Sequence, residues 1–221
     1  MKDPSLPQVL NVGCGVKSPM KLHAAFRGNG WKEIRLDIDE RVSPDLIGTM
    51  TDMRSVIPDG TFDAIWSSHN IEHLYAHEAP IAIKEFRRIL RNDGFALITC
   101  PDISAIAELI VDGKFDDPAY VSPAGPITAL DMLFGHTRSI AEGNVYMAHK
   151  TGFTASRLGR LLLEGGFPEA WVFNGTSFDL WAVALMSEAD HVRVRRLLAD
   201  GGLEIPESDD VRPVHANSIR S

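Results

Sequence analysis

The chain has 221 residues, 44% of them apolar and 24% charged: enough for one α/β domain with a full core and too few for two comfortable ones. A formal charge of −8 argues against a nucleic-acid partner, because phosphate binding calls for a basic surface. Two cysteines are too few for a disulfide framework, and no apolar run is long enough to span a bilayer.

The first strand is announced by Val9 to Gly15, V-L-N-V-G-C-G, where apolar residues run into two glycines one residue apart. Near-continuous apolar runs are the mark of buried parallel strands. Glycine accepts positive φ and lets a ligand approach the main chain closely. Ser18 and Pro19 then suit the cap and first turn of a helix, predicted over Pro19 to Arg27. Such a strand, loop and helix open the nucleotide-type crevice of α/β folds. Ile34 to Ile38, I-R-L-D-I, predicts a second strand ending at Asp37, about twenty residues past the loop, where such folds place an acid that accepts hydrogen bonds from a ribose.

Glu40 to Thr51 contains Pro44 and is too short for a full crossover helix, so an abbreviated connection is expected. Thr51-Asp52-Met53 follows, and Asp63 to Ser67 predicts the next central strand. His77 to Leu90 predicts an amphipathic helix with Ile83, Phe86 and Leu90 on its apolar stripe. Asn92-Asp93-Gly94 ends it, and Phe95 to Cys100 forms a fifth strand. Ile103 to Val111 reads as a short helix. Gly113 to Lys150, rich in Gly and Pro, reads as an irregular insertion able to form a substrate lid. Thr154 to Leu163 is a helix, Trp171 to Phe173 and Leu180 to Met186 are the last two strands, and Asp190 to Ala199 is a terminal helix. Residues 204–221 read as a polar, loosely held tail. The polar, proline-containing Met1 to Gln8 does not read as a signal peptide, and Cys14 and Cys100 read as reduced buried thiols, so a cytoplasmic setting is expected.

Taken in order, these motifs resemble the class I S-adenosylmethionine-dependent methyltransferases, and within them the small bacterial type-11-like group. The resemblance spans roughly Gln8 to Ser187. It implies a Rossmann-like, doubly wound, mostly parallel seven-stranded sheet with an antiparallel last strand, and S-adenosyl-L-methionine as cofactor. It also implies cofactor contacts from Asn11, Gly13, Cys14 and Gly15 in the loop, Asp37 and Ile38 at the ribose, and Asp52 and Met53 at the adenine. Ser67, Ser68 and His69 would lie near the sulfonium. Two positions depart from the family pattern. Asn11 stands where an acid is usual, and Lys17 stands where a third glycine is usual. Asn11 can hydrogen-bond the loop but carries no charge to attract the cofactor's ammonium.

His69 to His73, H-N-I-E-H, also fits the H-x-x-E-H pattern of inverted zinc peptidases. It follows a strand directly, within a methyltransferase-like order of elements, and the sequence supplies no further ligand that can be placed, so no metal is expected. His69, His73 and His149 are the candidate bases, since histidine titrates near neutrality; His136 is a further histidine in the insertion. The expected activity is methyl transfer to a small-molecule or sugar-like acceptor. The alternatives are a degenerate cofactor-binding protein that modulates a partner, and a nicotinamide-dependent dehydrogenase. The G-x-G-x-x-G spacing of the last is not met, because position 18 is Ser.

Overall fold

The computed structural model describes residues 6–28 and 30–206, together with the backbone of 212–215. Its centre is a sheet of β1 (Gln8–Val12), β2 (Lys32–Asp37), β3 (Leu46–Ile47), β4 (Phe62–Ser68), β5 (Leu90–Pro101), β8 (Glu169–Asn174), β9 (Asp179–Leu185) and β10 (Arg212–His215). The spatial order is β10-β8-β9-β5-β4-β1-β2-β3. β3, β2, β1, β4 and β5 pair in parallel, and β9 is antiparallel to both β5 and β8. This is the expected seven-stranded sheet with its antiparallel last strand, and β10 is added at the edge against β8. Part of the tail therefore joins the sheet as Arg212–His215; the expectation for 207–211 and 216–221 lies outside the described residues.

Both sheet faces are covered, as the apolar runs require. On one face, Leu10, Val12, Ile65 and Ile98 pack with α1 (Ala79–Ile89) and α5 (Ala155–Glu164) through Ile83, Phe86, Leu158 and Leu162. On the other, Val9, Trp66, Leu97 and Val183 pack with Phe26 and with Val194 and Leu198 of α6 (His191–Asp200). The crossover after β2 is abbreviated as expected, to a 3-10 turn at Glu40–Val42 followed by the two residues of β3.

Three elements differ from the sequence reading. The helix predicted over Pro19 to Arg27 is reduced to a 3-10 turn at Ala24–Phe26. The carbonyls a helix would use are taken by side chains: Trp66 Nε1 donates to Lys21 O at 2.7 Å, and Arg27 Nε donates to Leu22 O at 2.7 Å. Asn92-Asp93-Gly94 does not separate helix from strand, because α1 already ends at Ile89 and β5 begins at Leu90; the irregularity appears as a register shift opposite Phe62 and Ala64. The insertion after α2 (Ile103–Val111) is ordered. It carries the hairpin of β6 (Tyr120–Ser122) and β7 (Gly125–Ile127), then α3 (Ala129–Phe134) and α4 (Thr137–Ala141). Thr128 and Asp131 cap α3 reciprocally, and Asp131 also accepts from Thr137 N at 2.9 Å and Thr137 Oγ1 at 2.7 Å, which locks α3 to α4.

Candidate active site

The carboxyl ends of β1, β2 and β4 meet at the glycine turn. Gly13 and Gly15 have φ of +59° and +57°, the left-handed region that favours glycine. Gly15 N donates to Asp37 Oδ2 at 2.7 Å, and Asp39 N donates to Asp37 Oδ1 at 2.9 Å. Each carboxylate oxygen accepts more than one hydrogen bond, so Asp37 keeps acceptor capacity for a diol. Ile38, next along the chain, is 53% exposed and presents an unpartnered apolar surface beside that carboxylate.

Residues that the sequence reading passed over hold the turn in place. Arg35 is buried and donates to the carbonyls of Gly15, Val42 and Ser43. The Asn70 side chain donates to Val12 O at 2.8 Å and fills the space beside Gly13, where a Cβ would overlap its amide. The Lys21 ammonium lies over Gly15 at the position a Cβ would take; both Lys21 and Lys17 are exposed. Asn11 is buried and donates to Glu33 Oε1 at 2.7 Å, so a carboxylate stands on the neighbouring strand where the family pattern has its acid on β1. No signal within the motif itself marks Arg35, Lys21 or Glu33; pairing of β1 with β2 brings Arg35 opposite Asn11. Burial pushes the Cys14 thiol up to about 11, with Arg35 opposing, so this sulfur is an inert neutral group in the turn.

The other expected cofactor residues divide. Asp52 is exposed, and Arg54 Nε donates to it at 3.0 Å and holds its carboxyl low. The Met53 side chain is wholly buried in the core, and its N–H donates to Glu85 Oε2 at 2.8 Å, which ties this turn to α1. Ser67 Oγ is buried without a hydrogen-bond partner among the described residues, and Ser68 Oγ accepts from Thr99 Oγ1 at 3.2 Å.

The histidines gather just beyond β4. His69 has φ +52° and its N–H donates to Thr99 O, prolonging the strand pairing by one step. The chain then turns through a 3-10 segment, Ile71–His73, that buries Glu72 to 1% exposure. Lys150 N and Thr151 N donate to Glu72 O at 2.8 and 3.2 Å, so the end of the insertion is clamped onto this turn. His149 is thereby brought against His73, with ring centroids 4.9 Å apart. Burial lowers the His149 pKa and favours the neutral ring. For His69, burial acts downward but the neighbouring Glu72 carboxylate outweighs it, and the pKa rises. His136 lies elsewhere, with Nδ1 2.7 Å from Ser139 Oγ.

Residues 10–98 match the family described as a methyltransferase domain. A solved S-adenosylmethionine-dependent methyltransferase from Archaeoglobus fulgidus is 15% identical with a TM-score of 0.54, over 81% of this chain and 86% of that one. A second, from Thermotoga maritima, is 14% identical with a TM-score of 0.52, over 84% of each chain. A third, from Aquifex aeolicus, is 14% identical with a TM-score of 0.52, over 81% of this chain and 82% of that one. No curated protein matches in sequence. Residues 10–98 thus match a methyltransferase domain, and the chain shares the fold of these solved S-adenosylmethionine-dependent methyltransferases.

Proposed function

We propose that this protein transfers a methyl group from S-adenosylmethionine to an oxygen of a small-molecule or sugar-like acceptor. The observation that carries this reading is the Asp37 carboxylate bonded to the Gly15 amide, with exposed Ile38 beside it. A ribose diol against Asp37, an adenine over Ile38 and a carboxylate against the Lys21 ammonium would use each feature. Bound there, the cofactor supplies a methyl on a positively charged sulfur. The protein's part is to hold acceptor and methyl in line and to exclude water. His69 and His73 follow β4, His149 is held against His73, and in this reading α3, α4 and the segment to Lys150 would form the acceptor's outer wall. A hydroxyl acceptor has a proton to give up, and His69 is the half-exposed histidine able to take it. The overall negative charge favours a small acceptor over a nucleic acid, and no described helix is long and apolar enough to cross a membrane. A cytoplasmic setting accords with the free, buried Cys14 and Cys100.

The test is release of S-adenosylhomocysteine when the protein is given S-adenosylmethionine and panels of hydroxylated small molecules and sugars. Turnover dependent on one acceptor class supports the reading. Asn11 in place of an acid favours the second reading, binding without catalysis, and tight cofactor binding with no turnover on any panel would select it.

A further inference from the structure

We propose that Glu72, His73 and His149 form a binding site for one divalent transition-metal cation. The ligand atoms these three residues offer all lie within 4.8 Å of one another. Two imidazoles and a carboxylate leave an open position for an exogenous ligand, as catalytic metal sites do. This set suits zinc, cobalt, manganese or iron rather than magnesium or calcium, which prefer all-oxygen shells.

Glu72 is the strongest argument. Its carboxylate is buried, and neither oxygen has a hydrogen-bond partner among the described residues. His69 Nδ1 approaches Oε1 to 3.4 Å, near enough for attraction but without hydrogen-bond geometry. An isolated buried carboxylate is costly, and a cation coordinated to it offsets that cost.

The histidines are set up as metal ligands usually are. His73 Nδ1 lies 3.1 Å from Ala148 O, and His149 Nδ1 lies 2.9 Å from Met132 O. A carbonyl oxygen only accepts, so in both rings Nδ1 carries the hydrogen and Nε2 holds the lone pair. A backbone carbonyl fixing the far ring nitrogen is the common outer support of a ligating histidine. Donor atoms around one tetrahedral zinc ion stand roughly 3.4 Å apart at bond lengths near 2.1 Å. The present atoms, within 4.8 Å of one another, must draw closer for a cation to bind all three. The sequence expectation of no metal follows from the place of His69 to His73 directly after a strand and from the lack of a further ligand that could be placed. The missing ligand, His149, comes from the end of the insertion and is delivered by the two amides bonded to Glu72 O.

The role of the cation rests on the methyl-transfer reading. A hydroxyl of the acceptor takes the open position, which makes its proton easier to lose. The proton passes to His69, and the oxygen then forms a bond to the methyl carbon. The carbon–sulfur bond breaks with its electron pair left on sulfur, giving a neutral thioether.

The experiment uses the full chain stripped with a chelator. Zinc is titrated by calorimetry, and cobalt is followed by visible absorption, in the wild type and in His149→Ala, Glu72→Gln and His136→Ala. Expected is one equivalent of zinc, an affinity loss of about 100-fold or more in His149→Ala and Glu72→Gln, and no change in His136→Ala. His149→Ala keeps the test decisive should Glu72→Gln fail to fold. No saturable binding of either metal by the wild type, or binding that survives in His149→Ala, would overturn the site. S-adenosylmethionine is titrated into the same samples. Zinc binding without cofactor binding would overturn the methyl-transfer role and leave the metal site standing.

Discussion

Asn70 occupies the space beside Gly13 that any side chain there would need. Its amide donates to Val12 O and Ser68 O, at 2.8 and 2.9 Å, and so ties the end of β1 to the end of β4. A residue other than glycine at 13 meets both this amide and a φ of +59°. The left-handed conformation alone costs about 1–2 kcal/mol for a residue with a Cβ.

Gly13→Ala is therefore expected to lower unfolding stability by about 2 kcal/mol or more, and to weaken cofactor binding. Asn70→Ala should relieve the overlap, so the double variant should fall short of the sum of the singles. Urea unfolding of all four proteins checks this. Strict additivity would mean that the two residues do not share the space.

The Lys21 ammonium lies over Gly15, and the proposed function pairs it, rather than Lys17, with the cofactor's carboxylate. Lys21 is exposed, so the pair contributes at most ~1 kcal/mol, or about fivefold in affinity. Calorimetry should show that loss in Lys21→Ala and none in Lys17→Ala. The opposite pattern would hand the role to Lys17.

The glycine turn, Asp37 and the alternation of strands with helices were legible because each depends on neighbours in sequence: an apolar run, a residue tolerant of positive φ, an acid at a strand end. The helix expected over Pro19 to Arg27 was not, because its carbonyls are claimed by Trp66, from a distant strand, and by Arg27. Arg35, Glu33 and Asn70 act through strand pairing and loop packing that no local pattern encodes. His149 reads in the sequence as one histidine of an insertion. Its place against His73 is set by main-chain bonds from Lys150 and Thr151 to Glu72, across more than seventy residues. The apolar Ile127, Leu130, Met132, Leu133 and Phe134 allow the short helix α3, whereas the hairpin and α4 escape a reading by Gly and Pro content because elements this short have weak periodicity.

His23 packs among Phe26, Trp66 and Trp181, and accepts from Ala25 N through Nδ1. Burial, with Arg27 adding to it, lowers its pKa from 6.5 to about 4. The folded state thus binds this proton less readily than the unfolded chain. Its neutral-form stability is complete above pH 6.5 and is lost as pH falls from 6.5 towards 4. Between pH 7 and pH 5 the loss from this group is about 2 kcal/mol. His23→Phe keeps an aromatic ring and removes the titration, so its stability should fall less than that of the wild type over this interval. His149, also lowered by burial, titrates in both proteins and cancels in the comparison. Parallel pH profiles for the two would place the His23 ring outside the aromatic cluster in solution.

Asp37 is the centre of the proposed cofactor site. Asp37 supports Gly15 with one oxygen and Asp39 with the other, and it is assigned the two hydroxyls of the cofactor. Hydrogen bonds to a charged acceptor contribute about 1.5–3 kcal/mol each. The deciding measurement is calorimetry of the wild type and a folded Asp37→Ala variant with S-adenosylmethionine, S-adenosylhomocysteine and NAD. The account predicts one saturable site for the first two ligands in the wild type, no heat with NAD, and affinity at least about tenfold weaker in Asp37→Ala. Equal affinity in the two proteins, or binding of NAD in place of S-adenosylmethionine, would contradict it.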